Sequence, residues 1–175
     1  MYLVRMATEM DISRLDKKEF RIKGRSGTIT TFENGVKIES SKDGSSKELN
    51  GAGEYEVAGI SVIGVKNDGG VVFVYEVDGI RICHFGIVKD VLSEGKLTQV
   101  GDIAVLLLPI SSRSIEIMQQ IEGYYILPYG YDSEVELDKF LKDSGFNVQR
   151  LPKLLLKKEE MIEDQTSEII VLDSN

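Results

Sequence analysis

Between residues 54 and 85 the chain offers four short apolar runs with almost nothing between them. The runs are 54–57, 60–65, 71–77 and 80–85, and the breaks are Gly59, Asn67-Asp68-Gly69-Gly70 and Asp78-Gly79. Breaks this short leave room only for hairpin turns, so successive runs must lie antiparallel. Their apolar positions alternate only in part, so at least one face of the resulting sheet is buried, and two can be. Any fold for this chain has to be built around that meander.

The flanks add to it. Residues 20–23 and 28–32 alternate at the strand period, with Gly24 and Gly27 between them. Asn34-Gly35 predicts a type I′ hairpin turn, in which both central residues take positive φ, with a return strand at 36–39. Residues 40–46 read as a solvated turn or loop. From residue 87 the period changes. Residues 91–100 form a short helix candidate with Gly95 inside it, and 103–108 is a continuous apolar run suited to a buried strand. Residues 114–121 place Ile115, Met118 and Ile121 on one helical face. A strand is expected at 124–127. Ser133 is a good N-cap for a helix to Asp143, with Glu134 and Glu136 in its first turn and Gly145 past its end. Val135, Phe140 and Leu141 are expected to point inward, with Leu137 joining them. Strands are expected at 147–149, 154–157 and 168–172. Strands first, then strand–helix alternation, predict an α+β chain, a mixed αβ sandwich, as one domain over 1–175.

Composition narrows the function classes. Net charge is −8, with 29 acidic against 21 basic residues. That balance opposes binding to the nucleic-acid backbone or to an anionic membrane, since both need a cationic face. The best basic stretch, 153–158, is interrupted by Leu154, Leu155 and Leu156, so it reads as an element with one wet side. Seventeen glycines and three prolines fit many turns. Cys83 is the only cysteine, which rules out an intramolecular disulfide. Residues 1–10 show no signal-peptide pattern, and the longest apolar run, 103–110, is too short to cross a membrane. The expected location is the cytoplasm.

Few residues advertise chemistry. His84, the only histidine, reads first as a buried ring hydrogen-bonded to backbone and second as a remnant base. Cys83 reads as inert core packing. Asp68, Asp78 and Asp102 suit turns better than a cation site. Glu54 and Glu56 share one solvated strand face. Tyr124, Tyr125, Tyr129 and Tyr131 suit core and rim packing, with a ligand pocket or partner surface as the sharper reading. Ser111, Ser112 and Ser114 suit helix capping.

Taken in order, several stretches carry a resemblance. They are Gly53-Glu54-Tyr55-Glu56-Val57-Ala58-Gly59-Ile60-Ser61-Val62-Ile63-Gly64 and Val74-Tyr75-Glu76-Val77-Asp78-Gly79-Ile80-Arg81-Ile82-Cys83-His84-Phe85-Gly86. Gly101-Asp102-Ile103-Ala104-Val105-Leu106-Leu107-Leu108-Pro109, Ile126-Leu127-Pro128-Tyr129-Gly130-Tyr131 and the tail 151–172 follow. Together they resemble the metallo-β-lactamase fold superfamily, in its small zinc-dependent hydrolase-like branch near the ascorbate-phosphate lactonases. The resemblance implies mostly antiparallel sheets with flanking helices, here in a truncated form.

The resemblance also implies metal ligands, and these are missing. The family's H-x-H-x-D-H loop falls in 33–50, which holds no histidine. A further family histidine falls at 65–68, where the chain reads Val65-Lys66-Asn67-Asp68. The bridging aspartate of H-x-G-D falls at Ile87, and the last ligand, from Pro-Met-His, at Gly130. His84 matches a histidine that is normally behind the ligands. Zinc is held by several imidazole, thiolate or carboxylate donors, and only bound metal makes hydroxide available at neutral pH. The expectation is therefore a family scaffold with no metal and no cofactor, not an enzyme, with a structural or interaction role as a homo-oligomer or with a protein partner. The alternatives are a small-molecule binder reusing the old cleft, lined by His84, Ile87, Tyr129, Gly130 and Tyr131, or a hydrolase with a relocated metal.

Overall fold

The computed structural model describes residues 9–161 and 165–174. The lack of a signal-peptide pattern read over 1–10 therefore falls largely outside the described residues. Two sheets make up the frame. The first orders its strands β13-β1-β2-β3-β4-β5, from β1 (Met10–Arg14), β2 (Phe20–Lys23), β3 (Gly27–Phe32), β4 (Gly35–Ser40), β5 (Ser46–Leu49) and β13 (Leu154–Leu156). The second orders them β12-β14-β11-β10-β9-β8-β7-β6. It uses β6 (Gly53–Val57), β7 (Ile60–Asn67), β8 (Gly70–Val77), β9 (Ile80–His84), β10 (Val105–Pro109), β11 (Tyr125–Tyr129), β12 (Asn147–Leu151) and β14 (Glu168–Leu172). Among the described residues the helices are α1 (Glu94–Val100), α2 (Ser114–Gln120) and α3 (Glu134–Ser144), with a 3-10 turn at Lys158–Glu160. The class is α+β, mostly antiparallel, as the sequence implies.

The meander pairs antiparallel throughout: Tyr55↔Val62, Val62↔Tyr75 and Tyr75↔Ile82 run across it. Its turns show how. Ala58-Gly59 and Asp78-Gly79 both take positive φ at each position, the geometry of a two-residue hairpin loop. From β9 onward the neighbours β10, β11, β14 and β12 run parallel; α1, α2 and α3 connect β9 to β10, β10 to β11 and β11 to β12, while β13 lies between β12 and β14 in the chain.

Partial alternation in β8 is explained by burial on both sides. Phe73, Tyr75 and Val77 join Ile12, Ile22, Ile29 and Ile38 of the first sheet in one apolar interior. Val72 and Val74 join Leu106, Leu108, Ile117, Met118, Leu137 and Phe140 in a second interior beneath the helices. All five residues of β10 are buried, as its unbroken apolar run predicts.

Two expectations need correction, and two strands go unannounced in the sequence. The first hairpin turn is Glu33-Asn34, not Asn34-Gly35: Phe32 pairs with Gly35, and none of these residues has positive φ. Gly35 serves another purpose, since a Cβ there would lie 2.7 Å from the Leu49 carbonyl oxygen of β5. Residues 41–45 are the expected solvated turn, and they lead into β5, a strand the sequence pattern does not announce. β1 is likewise an unannounced strand. Val135 points to solvent at 79% exposure, while Leu137 and Phe140 carry the buried face of α3. The caps of α3 hold: Ser133 Oγ accepts from the Glu136 N–H at 3.2 Å, and Gly145 is left-handed.

Candidate functional site

The sequence places its candidate cleft at the C-terminal ends of β9 and β11, where the structure buries His84 and Tyr129 and leaves Ile87, Gly130 and Tyr131 part-exposed. His84 ends β9 on the inner face and is 1% exposed. Its Nδ1 lies 3.0 Å from the Tyr75 hydroxyl, so its partner is a side chain rather than the expected backbone group. Its Nε2 is buried without a partner among the described residues. Burial pushes its pKa down to about 3, so the ring is neutral at physiological pH.

Tyr129 ends β11 and lies beside His84, with ring centroids 6.1 Å apart. It stands edge-on to Phe20 at 5.5 Å and donates its hydroxyl proton to the Gly86 carbonyl at 2.7 Å. Burial holds both the Tyr75 and Tyr129 hydroxyls well above the usual phenol range. Burial likewise pushes the Cys83 thiol up, with Arg81 opposing, so this thiol is inert packing.

Two loops of the first sheet close over this end. The β1–β2 loop is tied down where the Gly130 N–H donates to the Lys17 carbonyl at 3.1 Å. The Glu33-Asn34 turn sits against Gly86, whose φ is +59° and where a Cβ would fall 2.6 Å from the Glu33 carbonyl oxygen. Ion pairs Lys17–Asp132, at 2.6 Å, and Lys18–Glu33 fasten the loops. Ile87 leans toward the β7–β8 turn: its Cγ1 lies 2.9 Å from where a Gly70 Cβ would be. Tyr131 turns toward Arg14, accepting from its Nη1 at 2.7 Å. So His84 and Tyr129 come together, Gly130 sits under a loop, and Ile87 and Tyr131 turn to other neighbours.

Arg14 is the residue that sequence reasoning missed. A lone arginine after Met10, Ile12 and Ser13 gives no linear signal, and only the strand pairing shows it facing inward.

The other weighed residues settle into structural roles. Asp78 Oδ2 accepts from the Arg25 N–H at 2.9 Å, and Asp68 sits in the β7–β8 turn. Glu54 and Glu56 are exposed on one edge strand. Ser114 Oγ accepts from the Ser111 N–H at 2.6 Å and donates to the Pro109 carbonyl at 2.8 Å, ordering the turn into α2. A depression of about 680 Å³ lies at the opposite end of the parallel strands, beside Arg81, Leu97, Ile103, Ile121, Tyr124 and Lys158.

With this geometry in view, comparison is informative. A family model for the beta-lactamase superfamily domain matches residues 12–129, well over half of the chain. The chain belongs to that superfamily. Among solved structures it is similar to a Thermotoga maritima protein assigned to the Zn-dependent hydrolases of the metallo-beta-lactamase superfamily. That match has 21% identity, covers 93% of this chain and 98% of that one, and has a TM-score of 0.72. At this identity the superfamily likeness shows the shared fold. A Parabacteroides distasonis protein assigned as a metal-dependent hydrolase has 10% identity and covers 95% of this chain and 99% of that one. Its TM-score is 0.44, too low to carry an argument. A search of the curated proteins found no match.

The zinc that this superfamily implies has a demanding donor set, converging at roughly 2 Å from the ion. Among the described residues no three His, Cys, Asp or Glu side chains gather to form one. His84, the only imidazole, is enclosed and bonded to Tyr75. The residues present do not fit a zinc pair, and no catalytic step through metal follows from them.

Proposed function

We propose that this superfamily member is non-catalytic and works through structure or interaction, as a homo-oligomer or with a protein partner. The observation that carries this reading is His84: the single imidazole is sealed in the interior, neutral, and bonded to Tyr75. The residues at the matched positions support it, because Ile87 has no donor atom for a metal and Gly130 has no side chain, its N–H being bonded to the Lys17 carbonyl. The one apolar interior shared by both sheets supports reading 1–175 as a single domain.

An interaction role draws support from the 134–151 segment. Strand β12 is a sheet edge with Asn147 to Arg150 all exposed. Val148 and Phe146 are each 37% exposed, and Val135 on α3 adds to the apolar surface. Unpaired edges with apolar side chains are ready templates for another chain.

The test has two arms. Purified, dialysed protein is assayed for bound zinc and manganese, titrated with zinc chloride by calorimetry, and offered lactone and phosphodiester substrates. No stoichiometric metal and no turnover are expected. A tight isotherm for one or two zinc ions, with hydrolysis, overturns the reading. Light scattering across a concentration series supplies the second arm, and a dimer that survives dilution supports the interaction role.

A further inference from the structure

Arg14 closes β1, and its side chain follows Met10 and Ile12 into the space between the sheets. It is 8% exposed. A guanidinium carries a permanent charge and five N–H donors, and burying it calls for partners. Arg14 has few. Nη1 donates to the Tyr131 hydroxyl at 2.7 Å, and the guanidinium carbon lies 5.1 Å from the centroid of the Tyr131 ring. Nε is buried with no partner. Among the described residues no carboxylate pairs with this cation.

The geometry of what remains is specific. With Nη1 engaged by Tyr131, the guanidinium keeps the edge formed by Nε and Nη2. That edge presents two parallel N–H groups, which match two oxygens of a carboxylate or a phosphate. It lies where the end of β1 meets Tyr131 after β11 and bridges to Ser174 after β14.

We propose that Arg14, backed by Tyr131, is the binding point for the oxyanion group of a small molecule, a carboxylate or a phosphate monoester. A group so little exposed favours a small free anion over a side chain reaching in from another protein. This site stands beside the non-catalytic reading and does not rest on it.

The test uses ¹⁵N-labelled full-length protein and follows the arginine Nε–H resonances. Arg14 is assigned by triple-resonance spectra and by its loss in Arg14→Lys. Inorganic phosphate and acetate are titrated separately, with ionic strength held constant by sodium chloride. The Arg14 resonance is expected to move and saturate with at least one of them, and the stronger shows whether the natural group is a phosphate or a carboxylate. Tyr131→Phe is expected to weaken that binding several-fold. An unmoved resonance overturns the proposal. So does equal movement with chloride alone. Movement only on changing protein concentration, which marks a protein partner, also overturns it. If Arg14→Lys fails to fold, the wild-type titration and Tyr131→Phe still decide. None of these failures bears on zinc content, so the two readings fall separately.

Discussion

His84 stays uncharged at neutral pH because its ring is enclosed by Tyr75, Tyr129 and the strands around them. Its folded pKa is about 3, against 6.5 for the free side chain. Above pH 6.5 neither state holds the proton and the residue adds no slope to stability. As the pH falls below that, the unfolded chain takes up a proton that the folded chain refuses. Stability therefore drops until about pH 3, where the folded state titrates too. By pH 5 the loss is about 2 kcal/mol at 1.4 kcal/mol per unit. Urea unfolding at pH 7 and pH 5 checks it: His84→Gln, which keeps a polar group for Tyr75, is expected to remove that part of the decline. An unchanged slope in the variant refutes the assignment. Gly86 gives a second expectation at this scale. Its left-handed φ and the close Glu33 carbonyl exclude a side chain, so Gly86→Ala is expected to destabilise by about 1–3 kcal/mol in the same assay. His84 and Tyr129 were legible from their strands. Their mutual contact was not, because it is made across strands distant in sequence.

Elements were readable where one physical signal dominated. Period two and two-residue turns mark β6 to β9, and the Ser133 and Gly145 caps mark α3. Strand β1 escaped because its third inward position is a charged Arg14, which breaks the apolar alternation. Strand β5 escaped because only Leu49 of its four residues is apolar and buried. Val135 was misassigned against the helix's own geometry. Two residues before Leu137, it is turned about 200° away at about 100° per residue. It follows that Val135→Glu is expected to change stability by less than about 0.5 kcal/mol, whereas Leu137→Ala costs about 2–5 kcal/mol. Ser133→Ala removes the bond to the Glu136 N–H and is expected to cost about 0.5–2 kcal/mol. Thermal unfolding of the three variants orders them; a Val135→Glu chain as unstable as Leu137→Ala would contradict the placement of α3.

At the scale of the molecule, the arrangement of strands decided what the sequence left open. The C-terminal segment changes sheets twice: β12 and β14 lie in the second sheet, and β13 between them lies in the first. β13 pairs with β1, placing Met10 opposite Leu156. No local pattern in residues 154–156 reveals a partner near the other end of the chain. Contacts this distant in sequence slow folding, so refolding from urea is expected on the millisecond-to-second scale typical of strand-rich topologies. Trimming the chain before Lys153 removes β13 and β14 together and is expected to leave no cooperative unfolding transition, measured by circular dichroism. A sharp transition in the trimmed chain would show that the first sheet stands without its last strand. The same crossing has a consequence during synthesis. One edge of β1 stays unmatched until Leu156 clears the ribosome exit, so a long stretch of chain is made between this strand and its last neighbour. A nascent chain stalled short of that point offers its earliest hairpins to chaperones, or to other stalled copies.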